Sequence, residues 1–180
     1  MMMQIIKVQD LEFKPYLSEE TIQQKVKELA AQIESDFIDK KPVFLCIMNG
    51  AFRFASDLAR FMDMDCEWEF LKLKSYHGTQ STGKVRMASE LPDNIKNRHI
   101  IIVEDIIDTG TTMHFFMKKL NTLRPASIHL ASFLFKKEAL KYPMEIDYLC
   151  FTIPNKFVLG YGLDYDGLGR NYNNLWQLSK

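Results

Sequence analysis

The sequence predicts an α/β fold: a mainly parallel, twisted β-sheet flanked by helices. Three observations carry this expectation. The run 43–48 is unbrokenly apolar, and 99–103 is so after His99, instead of alternating, as strands covered on both faces are. Between such runs, apolar residues recur at helical spacing, as in Ile22, Val26, Leu29, Ile33 and Phe37. Strands and helices thus alternate along the chain, the pattern of a parallel sheet.

Ser18, followed by Glu19, Glu20 and Thr21, reads as the start of the first helix. Pro42 opens the first buried strand and Asn49-Gly50 ends it, after which Phe54, Leu58 and Phe61 mark a second helix. A strand is expected over 66–76, where Trp68, Phe70, Leu71 and Leu73 mix with charges and imply thinner cover. The stretch 77–98 is polar, with Gly78, Gly83 and a Pro92-Asp93-Asn94 turn, and is expected to be a lid-like loop. After the strand 99–103 come a short acidic, glycine-bearing turn and a helix from about 111 to 123, then strands near 126–135, 148–153 and 157–159.

A chain of 180 residues fits one domain with a sizeable core, and 47% hydrophobic content excludes disorder. Lys plus Arg equals Asp plus Glu, 23 each, so no broad basic field points to nucleic acid or an anionic membrane as partner. Cys46, Cys66 and Cys150 lack C-x-x-C spacing, which fits a reduced, cytoplasmic setting. Neither a cationic, apolar leader nor a run approaching the roughly 20 apolar residues of a membrane span is visible, so export and membrane embedding are not expected. A nucleoside-triphosphate hydrolase would need G-x-x-x-x-G-K-[ST], which is absent.

The informative stretch is 103–112, Val-Glu-Asp-Ile-Ile-Asp-Thr-Gly-Thr-Thr. Strand, loop and helix in that order place backbone amides at a helix start, where anions bind. Thr109, Thr111 and Thr112 add hydroxyls, and Gly110 lets the backbone wrap an anion. Glu104 and Asp105 would repel a phosphate but suit sugar hydroxyls or a metal ion. Asp108 is left for proton transfer. As chemistry alone this supports phosphosugar binding; a solvated acidic turn with an ordinary helix cap is the plain alternative.

The segment resembles the phosphoribosyl pyrophosphate signature of type I phosphoribosyltransferases, and the chain from about Pro42 to Arg170 is similar to their hypoxanthine-guanine branch. The resemblance implies the type I fold, with a core of 18–153 and a small hood from 1–17 and 154–180. It implies that Glu104 and Asp105 meet the ribose hydroxyls, that 108–112 hold the 5′-phosphate, and that Asp108 is the general acid/base at purine N7. Met48-Asn49-Gly50-Ala51, a plain strand-end turn on its own, matches the pyrophosphate loop, often with a cis peptide before its second residue; Asn49 stands where the family often has Lys or Arg. Ser75 and Tyr76 open the matched catalytic loop and would touch pyrophosphate, while His77 reads as solvated. Lys136, otherwise half of a solvated Lys136-Lys137 pair, would read the 6-oxygen of the base. Phe157, otherwise a core aromatic, would stack on the purine, with Val158 offering a carbonyl and Leu163 nearby. Asp164, with Glu104 and Asp105, would bind Mg²⁺, and Arg170 would hold pyrophosphate through a leader loosened by Gly167-Leu168-Gly169.

The implied reaction moves a phosphoribosyl group from phosphoribosyl pyrophosphate to a 6-oxopurine, in a Mg²⁺-dependent homodimer or homotetramer. A regulatory RNA-binding protein on the same fold is the alternative from another class. It would show a basic face, which the charge balance opposes.

Overall fold

In a computed structural model, the structure describes residues 5–74, 86–87 and 91–179. Strands β1 (Ile6–Val8) and β2 (Leu11–Leu17) form a hairpin, followed by helix α1 (Glu19–Phe37). The central elements are β3 (Val43–Met48), α2 (Phe52–Phe61), β4 (Glu67–Lys74), β5 (Arg86–Met87), β6 (His99–Ile107), α3 (Thr111–Asn121), β7 (Ser127–Phe135) and β8 (Tyr148–Thr152). The chain closes with β9 (Val158–Leu159) and β10 (Leu175–Leu178).

The main sheet has the order β5-β4-β3-β6-β7-β8, parallel except for β5. Its central strands are coated on both sides, as their unbroken apolar sequences demand. On one face, Phe44, Cys46, Ile101, Val103, Ala131 and Phe133 pack with α1 and α2. On the other, Leu45, Ile47, Ile100, Ile102 and Leu130 meet Met113, Phe116 and Leu120 of α3. Strand β4 is thinly covered: Leu71 is buried but Phe70 is exposed.

Ser18 caps α1 through its side-chain oxygen, which accepts from the Thr21 amide. Ile22, Val26, Leu29, Ile33 and Phe37 then face the core at the expected spacing. Among the described residues, no helix is long and apolar enough to cross a membrane.

Both ends of the chain build a second sheet in the order β1-β2-β10-β9, antiparallel, around Val8, Phe13, Leu159 and Trp176. This is the hood. Pro15 lies inside β2 opposite Trp176, where the pairing shifts register between Leu175 and Trp176; such an irregularity accommodates a residue with no amide hydrogen.

Two local expectations are corrected. The acidic pair lies within a strand, because β6 runs on through Glu104, Asp105 and Ile106 to Ile107, paired with β7 at Glu104↔Ser132 and Ile107↔Phe135. Residues 91–98 belong to no open loop: Ile95 is buried against Val43, Leu71 and Ile100, and the Asn97 amide bonds to the Arg124 carbonyl. Within the expected lid, Arg86 and Met87 are strand β5, paired antiparallel with Lys74 and Leu73 of β4; its remaining residues, including His77, Gly78, Ser81, Gly83 and Val85, fall outside the described residues, as do Ser75 and Tyr76.

Candidate active site

In a parallel sheet, all strands end at the same edge, and a crevice opens where neighbouring strands lead their chain in opposite directions. Here β3 leads to β4 on one side while β6 leads to β7 on the other. Between them lies an open cleft of about 240 Å³, lined by Ile47 and Met48 from β3, Gly50 just beyond it, Leu73 from β4, and the continuous run Glu104–Met113.

The structure therefore brings Glu104, Asp105, Asp108, Thr109, Gly110, Thr111 and Thr112 together with Gly50 around one space. The fit is close at the cleft floor: a Cβ on Gly50 would overlap the Asp105 carboxylate. The peptide between Met48 and Asn49 is cis, and Asn49 itself is exposed.

Glu104 and Asp105 make the cleft acidic, and both hold their protons to a higher pH than a free carboxyl does. Burial first, and the neighbouring Asp105 second, push the Glu104 carboxyl well above the usual carboxylate range, and its Oε2 has no hydrogen-bond partner. Burial raises Asp105 to about 6; the Ile106 amide and the Arg170 guanidinium oppose that rise, and Asp164 adds to it. A buried acceptor without a donor is a costly arrangement that a hydroxyl or cation would relieve.

The anion half of the cleft sits at the start of α3. Gly110 occupies the N-cap position at φ 71 and supplies no capping oxygen; the Thr111 amide donates to the Thr109 hydroxyl at 3.4 Å, and the next amides, of Thr112 and Met113, are left for a ligand. The Thr109 hydroxyl donates to that of Thr111 at 3.1 Å. Behind the turn, a Cβ on Gly110 would strike Leu140 and Met144, and the Lys141 amide donates to the Thr109 carbonyl at 3.0 Å.

Lys136 reaches the same edge through sheet register. Because Ile107 pairs with Phe135, the next residues on both strands, Asp108 and Lys136, stand side by side. Lys136 Nζ donates to Asp108 Oδ2 at 3.0 Å, with the lysine buried and the aspartate half exposed.

The remaining site candidates do not line this cleft. Phe157 is exposed and lies 6.0 Å from Phe13 and 5.9 Å from Tyr165, centroid to centroid. Its carbonyl accepts from Leu178, which makes the adjacent Val158–Gln177 pair a non-hydrogen-bonded one and turns the Val158 backbone groups away from β10, toward the sheet edge. Leu163 is buried and exchanges backbone bonds with Gly160.

The described residues contain no cluster of three metal-ligating groups, and Asp164 is bound to Arg170 at 2.6 Å and to the Gly167 amide at 2.7 Å. Nor is the leader to Arg170 loose. Tyr165 and Leu168 exchange backbone bonds, the Gly162 amide donates to the Arg170 carbonyl, and the Arg170 guanidinium returns a bond to the Gly162 carbonyl at 2.7 Å.

Sequence reasoning missed Ile47, Leu73 and Met113 as cleft walls, and Leu140 and Met144 as supports. The first two could have been found, since they stand at the carboxyl ends of expected strands; the supports follow a strand in an unremarkable polar stretch.

Comparison with known proteins agrees with this geometry. Residues 14–166 match the phosphoribosyl transferase domain family. The chain is similar to the hypoxanthine-guanine phosphoribosyltransferase of Streptococcus pneumoniae, 39% identical over 90% of this chain and 89% of that one. It is 38% identical to the hypoxanthine-guanine-xanthine phosphoribosyltransferase of Tritrichomonas foetus, over 90% and 88% of the two chains. The crystal structure of a hypoxanthine phosphoribosyltransferase from Staphylococcus aureus superposes with a TM-score of 0.87 at 38% identity, covering 91% of this chain and 90% of that one.

Proposed function

Because this chain belongs to the phosphoribosyltransferase family, we propose that the cleft between β3 and β6 is where it grips phosphoribosyl pyrophosphate. The chain is a purine-salvage enzyme that transfers the 5-phosphoribosyl group to N9 of hypoxanthine, guanine or both, giving IMP or GMP and pyrophosphate. The matched relatives are named as transferases, which leaves the RNA-binding alternative without support.

One observation carries the site assignment: two carboxylates and an amide-lined turn share a single cleft, so one ligand bearing hydroxyls and a phosphate satisfies both. Glu104 and Asp105 take the ribose hydroxyls, and the amides and hydroxyls from Asp108 to Thr112 take the 5′-phosphate. Asn49, Gly50, Arg170, Ser75 and Tyr76 take pyrophosphate. Lys136 selects the 6-oxygen, the Val158 carbonyl faces the far side of the base, and Phe157 and Leu163 flank it.

Fixing both substrates supplies much of the rate. As N9 bonds to the anomeric carbon, the bond from that carbon to pyrophosphate breaks, and Asp108 accepts the proton released from N7. The Arg170 guanidinium faces the charge gathering on the leaving group. Mg²⁺ fits the donor set, since it favours oxygen ligands and commonly takes one or two carboxylates plus substrate oxygens; the unpartnered Glu104 Oε2 is such a donor. Glu104, Asp105 and, once freed from Arg170, Asp164 would hold it. When bound it offsets negative charge on pyrophosphate.

The reading extends to a single domain over 1–180 with core and hood as expected, to a homodimer or homotetramer, and to a cytoplasmic setting. Burial pushes the Cys46 and Cys150 thiols up to about 12, so both remain protonated and inert.

The test mixes the protein with phosphoribosyl pyrophosphate, Mg²⁺ and hypoxanthine, guanine or xanthine in turn, and measures pyrophosphate release. Release with hypoxanthine or guanine, stopped by EDTA, is expected. No release with any 6-oxopurine would remove the reading.

A further inference from the structure

We propose that Tyr161, tethered to Asp57, is a positioning residue that holds the pyrophosphate grip in place. The inference rests on the assignment of Arg170 and the 48–51 loop to pyrophosphate.

Tyr161 sits between Gly160 and Gly162, and all three have positive φ: 103°, 46° and 101°. For a tyrosine that backbone is unfavourable and persists only where its surroundings impose it. The surroundings are identifiable. The ring is 1% exposed, 4.6 Å from Phe133 of β7 centroid to centroid, with the Arg53 guanidinium 5.7 Å over it. Its hydroxyl donates to Asp57 Oδ2 at 2.6 Å. Burial, then the Asp57 bond, push that hydroxyl far above its ordinary range, so it remains a donor at any working pH.

Asp57 belongs to α2, the helix that begins directly after the pyrophosphate loop. Gln23 of α1 donates to the same carboxylate oxygen, and Arg60 stands 4.0 Å from the other. The tyrosine is thereby fixed to two helices and the sheet.

Its position reaches the site through Gly162. A Cβ there would overlap the Gly50 carbonyl, so the two segments run in direct backbone contact, which glycine alone permits. Gly162 also exchanges two hydrogen bonds with Arg170, through its amide and its carbonyl. A single side chain thus sets where the 160–170 segment lies on the pyrophosphate loop and where the Arg170 fork points. Tyr161 touches no substrate in this arrangement; it acts through Gly162.

The consequence is selective. Without the tether, pyrophosphate and phosphoribosyl pyrophosphate bind less tightly, while the base, held by Lys136 and Val158, is unaffected. Tyr161→Phe keeps the ring, and Asp57 keeps Gln23 and Arg60, so the variant retains the core. We expect the KM for phosphoribosyl pyrophosphate and the inhibition constant of pyrophosphate to rise about tenfold, the size of one lost hydrogen bond to a charged group. The hypoxanthine KM stays within about twofold of the parent on the same argument, while kcat falls, since the Arg170 fork faces the leaving group. Asp57→Ala reproduces the pattern, and Asp57→Asn, which keeps an acceptor oxygen, restores near-parent values. Unchanged pyrophosphate constants in Tyr161→Phe, or equal rises for base and phosphosugar, overturn the proposal. Arg170→Ala serves as the reference. If it leaves pyrophosphate affinity intact, the assignment of Arg170 fails and this inference with it; if it weakens affinity while Tyr161→Phe does not, only the tether fails.

Discussion

Replacing Asp108 with Asn isolates proton transfer from everything else the residue does. The carboxylate accepts from Lys136 Nζ at 3.0 Å, and an Asn carbonyl oxygen can accept the same bond. What disappears is the charge and the basicity. On the stability side, the pair is one charged hydrogen bond with its aspartate 47% exposed, so solvent discounts the loss to about 1 kcal/mol. A domain with a stability of roughly 5–15 kcal/mol remains folded after such a loss. On the catalytic side, a positioned general acid/base contributes about 10²–10⁴-fold, or roughly 3–5 kcal/mol of barrier. The second figure exceeds the first severalfold, so a fall in turnover cannot be mistaken for unfolding. Steady-state pyrophosphate release and a thermal melt on the same preparation check it: kcat should fall at least a hundredfold, with Tm lowered by only a few degrees. A variant whose kcat stays within about threefold of the parent would refute the role of Asp108, since so small a change is under 1 kcal/mol.

Further outcomes follow from the same geometry. Gly50→Ala drives a methyl into the Asp105 carboxylate and should destabilise the protein by about 1–3 kcal/mol while weakening phosphoribosyl pyrophosphate binding, read by melting and by KM. Ser18→Ala removes the α1 cap and should lose about 1 kcal/mol with kcat unchanged, which denaturant titration alongside the activity assay will show. For Asp105, burial raises the folded pKa from 3.8 to about 6, so the folded state holds the proton more tightly than the unfolded one. Its contribution therefore favours folding below 3.8 and is progressively lost as pH rises through about 6, with Glu104 acting in the same direction. Melting of the unliganded protein across that window should show the decline, and Asp105→Asn should flatten it.

Local patterning made much of this architecture readable. Ser18, the spacing from Ile22 to Phe37, and the apolar runs of β3 and β6 each settle their own structure within a few residues. Of the hood strands only β9 was legible in its own residues. Strand β2 carries Pro15 and finds its partner β10 only from the far end of the chain, so no local window shows the pairing. The same divide runs through the site. Residues 104–112 were readable because they are contiguous, whereas the Asp108–Lys136 pair depends on the parallel register of β6 and β7, and Asp164 is engaged by an arginine six positions on. The extension of β6 through two carboxylates escaped detection because burial, not propensity, holds that strand together.

The order of strands in the hood bears on how this protein can be handled. Among the described residues, strand β10 alone joins β9 to the hairpin at the other end, and one step beyond it the Ser179 amide still ties to the Glu12 carbonyl. Trimming from Leu175 onward would therefore do more than shorten a tail: it would strip Val158 of its neighbour and leave Phe13 and Leu159 without the cover of Trp176. A purification handle fused close behind Leu178 crowds that seam. A longer spacer, or a permuted chain reopened at an exposed turn elsewhere, keeps it intact.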